Sequence, residues 1–306
     1  MEESGSGALP GVLKGPATRI RGRASAAAIL KDCDLVLLTA TREEAAPLLA
    51  GLADARSYEL ATKTVVVGKL RAGSGGPRNG LSEGRSESSC AAVAVTGCDK
   101  TNTAHALTCL LETMADALPS VVMQVGIAGG FETEDGSGPI PGDVVLATEE
   151  VFADAGSSSP DGWLSADDLG LSDDSSGGCR SMVRFPLDRE LVRRAEAVLV
   201  SQDDFCGADG RSKVLSGRCL TSSRVTGMAE EAATLYGRWG ALAESMEGAA
   251  AAQICSLYEV PFLELRGISN RITDRDRSSW RVGEAIAVSG RAALTICTSI
   301  QDILVG

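Results

Sequence analysis

Three short segments place a polar side chain near the end of an apolar run, and each of these side chains could do chemistry. Glu44 lies in TATREEAAPLL, Glu247 lies in ESMEGAAAAQIC, and Asn270 ends PFLELRGISN. A carboxylate at Glu44 could act as a general base. A carboxylate buried at Glu247 needs a hydrogen-bond donor, which the protein or a ligand can supply. Because the amide of Asn270 offers a donor and an acceptor, the three segments favour acid–base and hydrogen-bonding chemistry.

Each segment also has a purely structural interpretation. Glu43 and Glu44 open a predicted helix, where acidic side chains interact favourably with the helix dipole. Glu247 suits the same role at the start of its own helix, where the interaction contributes about 0.3 to 1 kcal/mol. The segment VGIAGGF, residues 125–131, could let a backbone approach a ligand or could form a tight turn. Its spacing is not GxGxxG, which argues against a dinucleotide site.

The charge balance and the single histidine limit the partners and the chemistry. Forty-one acidic and 29 basic residues give a net charge of −12, which opposes attraction to nucleic acid or anionic lipid. We therefore expect a small-molecule ligand, no nucleic-acid partner and no membrane partner. Because His105 is the only histidine of the sequence, zinc sites built on several histidines are excluded. The helical pattern around His105 predicts that it packs within a helix. We predict no metal and no cofactor.

Cysteine usage and hydropathy predict the compartment. Nine cysteines without CxxC spacing, several of them in apolar runs, indicate reduced core residues and a cytoplasmic location. No apolar run approaches the roughly 20 residues that span a bilayer, and the N-terminus lacks the pattern of a secretion signal. We therefore expect neither export nor membrane insertion.

Near-continuous apolar segments alternate with helical patterns from Asp34 onward. This alternation predicts an α/β fold with a mostly parallel sheet that helices cover on both faces. The predicted strands are residues 34–40, 63–70, 91–97, 120–129, 142–152, 213–223 and 261–270. The predicted helices are residues 42–54, 101–117, 187–200, 228–238, 246–258 and 284–304.

The elements predict one domain. Residues 1–30 have no firm apolar period and are expected to form a flexible tail, which leaves residues 31–306 as the catalytic domain. Two segments rich in Gly, Ser and Asp, near residues 72–89 and 155–178, interrupt the apolar pattern. We expect both to be surface insertions.

The order of the motifs carries a family resemblance. VGIAGG, GDVV, SMEGAA and VPFLELRGISN, followed by TDRDRSSW, resemble the nucleoside phosphorylase and nucleosidase superfamily. Within it they are similar to the branch of the methylthioadenosine/adenosylhomocysteine nucleosidases, and in particular to the futalosine hydrolase family. The resemblance extends from Asp34 to the C-terminus. It implies a single-domain three-layer sandwich with a mixed, largely parallel central sheet flanked by helices, and a homo-oligomeric assembly.

The resemblance implies hydrolysis of an N-glycosidic bond, with the sugar-side roles carried by two segments. Glu44 would hold the attacking water, with the adjacent Glu43 as an alternative. Met246 would pack against the ribose, and Glu247 would accept hydrogen bonds from the ribose hydroxyls. Such bonds strengthen as the sugar gains positive charge.

Other matched positions would hold the purine. The resemblance places Ala128 and Gly129 in the loop whose backbone reaches the nucleoside, and it places Val225 along the base. Ser269 would contact the substrate beside Asn270. In the methylthioadenosine branch the residue matching Asn270 is Asp, which can donate a proton to the leaving adenine. An amide favours a 6-oxopurine instead, although a flipped amide can also pair with adenine.

The implied reaction is hydrolysis of futalosine to hypoxanthine and dehypoxanthine futalosine in menaquinone biosynthesis. Futalosine ends in a carboxybenzoyl group, and RITDRDRSSW offers it Arg271, Arg275, Arg277 and Trp280, unless that segment is only a solvated charged loop. The 6-amino analogue of futalosine remains open as substrate. The alternatives are a purine nucleoside phosphorylase, for which Arg42 is the nearby cation, a methylthioadenosine-type nucleosidase, and a non-catalytic nucleoside-binding protein.

Overall fold

A mixed eleven-stranded sheet forms the centre of the protein in the computed structural model, which describes residues 18–19, 23–71, 89–171, 181–207 and 212–305. Strands β8 (Gly156–Ser159) and β9 (Gly162–Ser165) form a separate hairpin. The strands of the sheet are β1 (Thr18–Arg19), β2 (Cys33–Thr39), β3 (Leu52–Leu60), β4 (Lys63–Leu70), β5 (Cys90–Val95), β6 (Val121–Gly130), β7 (Val144–Phe152), β10 (Arg184–Pro186), β11 (Val214–Thr221), β12 (Ala243–Ser245) and β13 (Phe262–Arg271).

Helices cover the sheet in two groups. The helices are α1 (Arg23–Leu30), α2 (Arg42–Ala50), α3 (Lys100–Thr113), α4 (Arg189–Val200), α5 (Ala229–Trp239), α6 (Gly248–Tyr258), α7 (Val282–Thr298) and α8 (Ile300–Val305). Helix α7 contacts α2 and α4, whereas α3 contacts α1 and α6. Gly267 of β13 faces Ala285 of α7, while Gly248 at the start of α6 faces Glu264 of β13. Residues alternate between the two faces of a strand, so Glu264 and Gly267, three positions apart, point to opposite faces. Helices α6 and α7 therefore lie on opposite sides of β13, as a three-layer sandwich requires.

Five of the strands close into a ring. β13 pairs with β6 in parallel and with β7 antiparallel. β11 pairs with β7 and β12 in parallel, and β12 returns to β6 antiparallel. We call these five strands the strand ring. Strand β10 is added to the ring at β7. The other five strands extend from β6 through β2, β5, β4 and β3 to β1, and we call this part the open sheet.

The open sheet is filled by aliphatic side chains. Leu35, Val36, Leu37 and Leu38 of β2 are all buried, and they belong to a continuous apolar cluster with the neighbouring strands and with α2, α3 and α7. The near-continuous apolar runs of the sequence are explained by this burial on both faces. The predicted α/β class with a mixed, largely parallel sheet is confirmed.

Several elements differ from the sequence prediction. Helix α1 lies inside the segment predicted as a tail, and its Ala26 and Leu30 are buried, so the folded part begins before residue 31. Strand β3 was not predicted, and it occupies the end of the predicted helix 42–54. The C-terminal helix 284–304 is divided at Ser299 into α7 and α8. His105 is exposed on α3 rather than packed in the core.

The two predicted insertions are partly covered by the structure. The described part of residues 155–178 contains the largely exposed hairpin of β8 and β9. Residues 72–88 and 172–180 lie outside the described residues, as do residues 1–17 of the expected tail. None of the eight cysteines in the described ranges forms a disulfide. No described helix is long and apolar enough to cross a membrane.

Candidate active site

The ends of β2, β6, β12 and β13 meet at one edge of the sheet and bring the predicted residues together. Glu44, in the first turn of α2, accepts a hydrogen bond from the backbone N–H of Ile127 in β6 (3.0 Å). Glu247, between β12 and α6, accepts one from Arg266 of β13 (3.2 Å). Asn270 of β13 lies opposite Gly129 of β6.

Glu44 is held from two sides. Its Oε2 accepts from the backbone N–H of Thr41 (2.9 Å), while the Thr41 hydroxyl accepts from the backbone N–H of Glu44 (3.2 Å), which completes a capping box at the start of α2. Its Oε1 faces Ile127. Glu44 is buried, whereas Glu43 is exposed. Glu44 therefore caps α2, as predicted for an acidic residue in the first turn of a helix, and also lies at the candidate site.

Glu247 is the residue before the first turn of α6 and is almost fully buried. Its Oε1 accepts from the backbone N–H of Asp99 (3.0 Å), and its Oε2 accepts from Nη1 of Arg266. Burial raises the pKa of Glu247, and the positive charge of Arg266 opposes that rise.

Asp99 reaches Glu247 through an unusual backbone conformation. Its φ of 84° and ψ of 156° belong to a region that only glycine adopts without strain. The side chain of Asp99 accepts from the backbone N–H of Lys100 (2.7 Å) and from the hydroxyl of Ser223 (2.7 Å). These contacts hold the strained peptide so that its N–H points at the Glu247 carboxylate.

Arg266 contacts Glu247 and lies near Glu44, and sequence reasoning did not assign it to the site. It is fully buried, and its Nε donates to Glu264 (2.7 Å). A Cβ placed on Gly126 would lie 2.7 Å from Nη1 of Arg266 and 2.7 Å from Oε1 of Glu44, so Gly126 allows these groups to approach. Although burial lowers the pKa of Arg266, the carboxylates of Glu264 and Glu247 raise it above its ordinary value.

The end of β13 carries a bulge that orients Asn270. The pairing with β6 shifts between Ile268 and Asn270, so Ser269 is an extra residue on β13. The Ser269 hydroxyl lies within hydrogen-bond distance of the Ala128 carbonyl (3.1 Å) and of Oδ1 of Asn270 (2.7 Å). The Nδ2 group of Asn270 donates to the Arg271 carbonyl (3.0 Å). The amide is thereby positioned beside the Gly129 backbone.

Met246 and Val225 lie at the margin of this constellation. Met246 is half-buried and directly precedes Glu247. Val225 is exposed on the loop after β11, where the next residue, Thr226, donates to Glu244 of β12 through its backbone N–H (2.8 Å) and its hydroxyl (2.7 Å).

The charged segment after Asn270 is divided between two arrangements. The guanidinium groups of Arg275 and Arg277 stack over the ring of Trp280, at 4.8 and 5.7 Å from its centroid. The backbone N–H of Arg275 donates to the Gly227 carbonyl (3.1 Å), which joins this segment to the loop of Val225. Arg271 instead pairs with Glu132 (3.1 Å).

Among the described residues, no group of three or more His, Cys, Asp or Glu side chains could hold a metal ion. The polar side chains gathered at these strand ends include Glu44, Glu247, Arg266 and the amide of Asn270.

Several curated futalosine hydrolases and nucleosidases are similar to this chain. The chain is 38% identical over 168 residues to the futalosine hydrolase of Streptomyces coelicolor, covering 55% of this chain and 60% of that protein. It is 37% identical over 167 residues to the futalosine hydrolase of Thermus thermophilus, covering 55% and 64%. It is 30% identical to the 5′-methylthioadenosine/S-adenosylhomocysteine nucleosidase of Anoxybacillus flavithermus, covering 57% and 65%. The chain thus matches slightly less than two thirds of the length of these relatives.

Solved structures and a family model complete the comparison. The 5′-methylthioadenosine/S-adenosylhomocysteine nucleosidase of Neisseria meningitidis, in complex with methylthio-immucillin-A, has a TM-score of 0.66 at 22% identity and covers 87% of this chain and 98% of that chain. This likeness confirms the predicted nucleoside phosphorylase-like fold. The model of the phosphorylase superfamily matches residues 34–304. The predicted family is confirmed, and the chain belongs to the phosphorylase superfamily.

Proposed function

We propose that this protein is a futalosine hydrolase, an N-glycosidase that releases hypoxanthine from futalosine and leaves dehypoxanthine futalosine for menaquinone biosynthesis. One observation carries the proposal: two buried carboxylates, Glu44 and Glu247, flank Arg266 at the strand end that also presents Asn270. The similarity to futalosine hydrolases from three bacteria, at 33 to 38% identity, supports the same substrate.

The carboxylates suit a reaction that develops positive charge on a sugar. Departure of a purine gives the ribose oxocarbenium character, which negative groups fixed in a buried site stabilise. One oxygen of Glu247 accepts a hydrogen bond from Asp99 and the other accepts one from Arg266. Each oxygen retains a lone pair that can accept from a ribose hydroxyl. Fixed in this way, Glu247 can bind the hydroxyls more tightly as the ring becomes cationic.

Glu44 is suited to take the proton of the attacking water. Oε2 accepts from the backbone N–H and from the hydroxyl of Thr41, while Oε1 accepts only from Ile127 and keeps a lone pair. As water attacks the anomeric carbon, it becomes more acidic and transfers a proton to the carboxylate. Glu44 therefore takes the role of general base, and the exposed Glu43 does not.

The charge arrangement favours water over phosphate as the attacking group. Phosphate needs cations or exposed N–H groups, but the positive charge of Arg266 is already balanced by its ion pairs with Glu264 and Glu247. An incoming phosphate would also face the carboxylate of Glu44. Hydrolysis, rather than phosphorolysis, is the better match to this arrangement.

The amide of Asn270 supports a 6-oxopurine as the leaving group. One N–H of Nδ2 donates to the Arg271 carbonyl, and one lone pair of Oδ1 accepts from Ser269. The second N–H and the second lone pair have no partner among the described contacts. They match the O6 acceptor and an N7–H donor of hypoxanthine, and a donor near O6 stabilises the negative charge that the leaving purine acquires.

The proposal also concerns assembly and compartment. We include homo-oligomeric assembly, a cytoplasmic location and action on small purine nucleosides, with Ala128, Gly129, Val225, Met246 and Ser269 as substrate contacts. Carboxylates and an amide perform the proposed chemistry, so it uses no metal and no cofactor. The described part of residues 31–306 acts as one catalytic domain in this proposal.

Chromatography of the purified protein with futalosine tests the function. We expect free hypoxanthine and dehypoxanthine futalosine in phosphate-free buffer, with inosine and methylthioadenosine as comparators that react more slowly. Release that depends on phosphate and yields a sugar phosphate would identify a phosphorylase. Faster release of adenine from methylthioadenosine would favour the other nucleosidase, and binding without turnover would overturn enzymatic function.

A further inference from the structure

Two buried carboxylates that the proposed reaction does not use face each other inside the strand ring. Glu150 of β7 and Glu264 of β13 are both fully buried. A Cβ on Gly248 would collide with Oε1 of Glu150 and with both oxygens of Glu264, so Gly248 leaves the space into which these groups point. The two carboxylates are thus brought together directly behind Glu247.

Hydrogen bonding accounts for one oxygen of each carboxylate. Oε2 of Glu150 accepts from the Thr221 hydroxyl (2.7 Å), and Oε1 of Glu264 accepts from Nε of Arg266 (2.7 Å). The remaining two, Oε1 of Glu150 and Oε2 of Glu264, have no partner among the described residues. Because a single proton between them makes one oxygen a donor and the other an acceptor, it satisfies both.

The surrounding charges decide which carboxyl holds the proton. Burial raises the pKa of Glu150 well above its ordinary value, and the neighbouring charge of Glu264 raises it further. From β13, Arg266 opposes this rise, and from β11 Glu150 meets Thr221 and the neutral thiol of Cys219. Glu264 bonds directly to Arg266, whereas Glu150 does not. The proton therefore belongs on Glu150 and the negative charge on Glu264.

Arg266 depends on Glu264 for its orientation. Its Nε is bound to Glu264 and its Nη1 to Glu247, while Nη2 has no partner among the described residues. Two anchored nitrogens fix the plane of the guanidinium, and one would leave it free to turn. The anchor at Nε thus determines whether Nη1 remains on the Glu247 carboxylate.

We propose that Glu150 and Glu264 share one proton, and that this pair makes Glu264 a positioning residue that holds Arg266 on Glu247. The positioning role rests on the proposed function, because Glu247 is the group that would bind the ribose. The shared proton does not rest on it, since it is a property of the folded chain alone.

Glu150→Gln tests the shared proton. Glutamine is neutral, its oxygen can accept from Thr221, and its N–H can donate to Glu264, so it reproduces the protonated acid. Turnover should stay within about threefold of the native value, because Glu264 and Arg266 keep their contacts.

The same variant has an expected stability profile. A carboxyl whose pKa is raised by folding stabilises the protein at low pH, and that contribution is lost as the pH rises above the pKa of the unfolded chain. Glu150→Gln has no proton to retain, so its Tm should exceed the native Tm by a margin that grows from pH 5 to pH 8. A margin that is constant or shrinks would overturn the shared proton.

Glu264→Gln tests the positioning role through a change that a purely structural residue would not produce. Turnover should fall at least tenfold. Arg266 lowers the pKa of Glu247 more strongly than Glu264 raises it, so release of Arg266 should move the acid limb of the kcat profile to higher pH. If Arg266 stays in place, loss of the Glu264 charge moves that limb to lower pH, and this result would overturn positioning.

Asp143→Asn is the matched control. Asp143 is also a buried carboxylate, but it accepts from the backbone N–H groups of Lys213 (2.9 Å) and Ile140 (3.0 Å) rather than from Arg266. We expect its acid limb to stay at the native pH even if Tm falls. Failure of the native protein to release hypoxanthine would reject the proposed function, whereas the Tm series of Glu150→Gln decides the shared proton separately.

Discussion

The open sheet and the strand ring bury different kinds of side chain within one continuous sheet. In the open sheet, β2 contributes Leu35 to Leu38, and the neighbouring β5 contributes Ala91 to Ala94, all of them buried. Inside the strand ring lie Glu150, Glu264 and Arg266, which are no more exposed. Both regions are stabilised by removal of apolar area from water, and the ring must in addition compensate buried charges.

The buried charges of the strand ring are better explained by function than by stability. Replacing a buried ion pair by well-packed apolar groups is often neutral or stabilising, so charges of this kind are weak evidence for a stabilising role. Gln124 of β6 adds to the contrast, because neither atom of its amide has a partner among the described residues. The ring retains polar groups at a cost in stability, and their proximity to Glu44 and Glu247 points to chemistry as the reason.

Of the variants considered, Arg266→Ala should change the free energy of unfolding the most and should best distinguish the strand ring from the open sheet. It leaves Glu247 and Glu264 buried without a cation, which should lower the free energy of unfolding by about 3 to 5 kcal/mol. Loss of the cation raises the pKa of Glu247 further, so the folded variant binds protons that the unfolded chain does not. Stability from such a group is present at low pH and lost as the pH rises. The deficit, measured by urea titration, should therefore be greater at pH 8 than at pH 5.

Leu38→Ala in the open sheet is the matched variant. It removes a fully buried side chain and should cost about 2 to 5 kcal/mol through lost burial and a residual cavity. No ionisable group changes, so its deficit should be the same at both pH values. A pH-independent deficit for Arg266→Ala would remove the distinction between the two regions.

Glu44→Gln should affect turnover strongly and stability weakly. Loss of the proposed general base should reduce kcat by ~10² or more, which corresponds to about 2.7 kcal/mol in the activation barrier. The amide oxygen can still accept from Thr41 or from Ile127, so the free energy of unfolding should fall by only about 1 kcal/mol. Single-turnover kinetics and urea titration measure the two quantities. Glu43→Gln, at the exposed neighbour, should leave both unchanged, and equal effects at the two positions would argue against a base at Glu44.

Asp99 offers a smaller test at the junction of the two regions, after β5 and beside Glu247. Asp99→Gly and Asp99→Ala both lose the side-chain contact with Ser223, and both keep the N–H that Glu247 accepts. Glycine relieves the strained φ and alanine does not, so the glycine variant should be the more stable by about 1 kcal/mol or more. Thermal unfolding of the two variants gives the difference. Equal stabilities would show that the backbone at Asp99 stores no strain.

The sequence predicted the apolar strands of the open sheet well, because burial on both faces produces unbroken apolar runs. Strand β3 was missed for the opposite reason. Its sequence, LADARSYEL, is half-exposed and mixes charged residues with apolar ones directly after a helix. Three-residue β12 is too short for any period to appear. Closure of the ring could not be predicted, because the pattern of a strand does not specify its partners.

Site residues show a similar division. Glu44, Glu247 and Asn270 were predicted from apolar runs, helix starts and the family resemblance, and the structure places Glu44 and Glu247 near the same buried group, Arg266. Arg266 was missed, although Glu264 and Arg266 are two residues apart in an apolar strand and must share a face. An opposite-charge pair on one buried face was the available signal. No sequence signal marks the φ of Asp99, since it arises from the contacts that hold its peptide.

Pairing of β13 on both sides fixes its register and therefore the face to which its polar side chains point. Leu265, Arg266 and Gly267 are bonded to β6 on one side and to β7 on the other. A slip of one residue would turn Glu264 and Arg266 toward α7 and would have to break both ladders at once. Strands that mix polar and apolar residues are prone to such a shift in register. Pairing on both sides within the strand ring prevents it here. The strand can therefore vary its charged residues without losing its alignment, which leaves Asn270, the proposed base-recognition residue, free to change specificity by single substitutions.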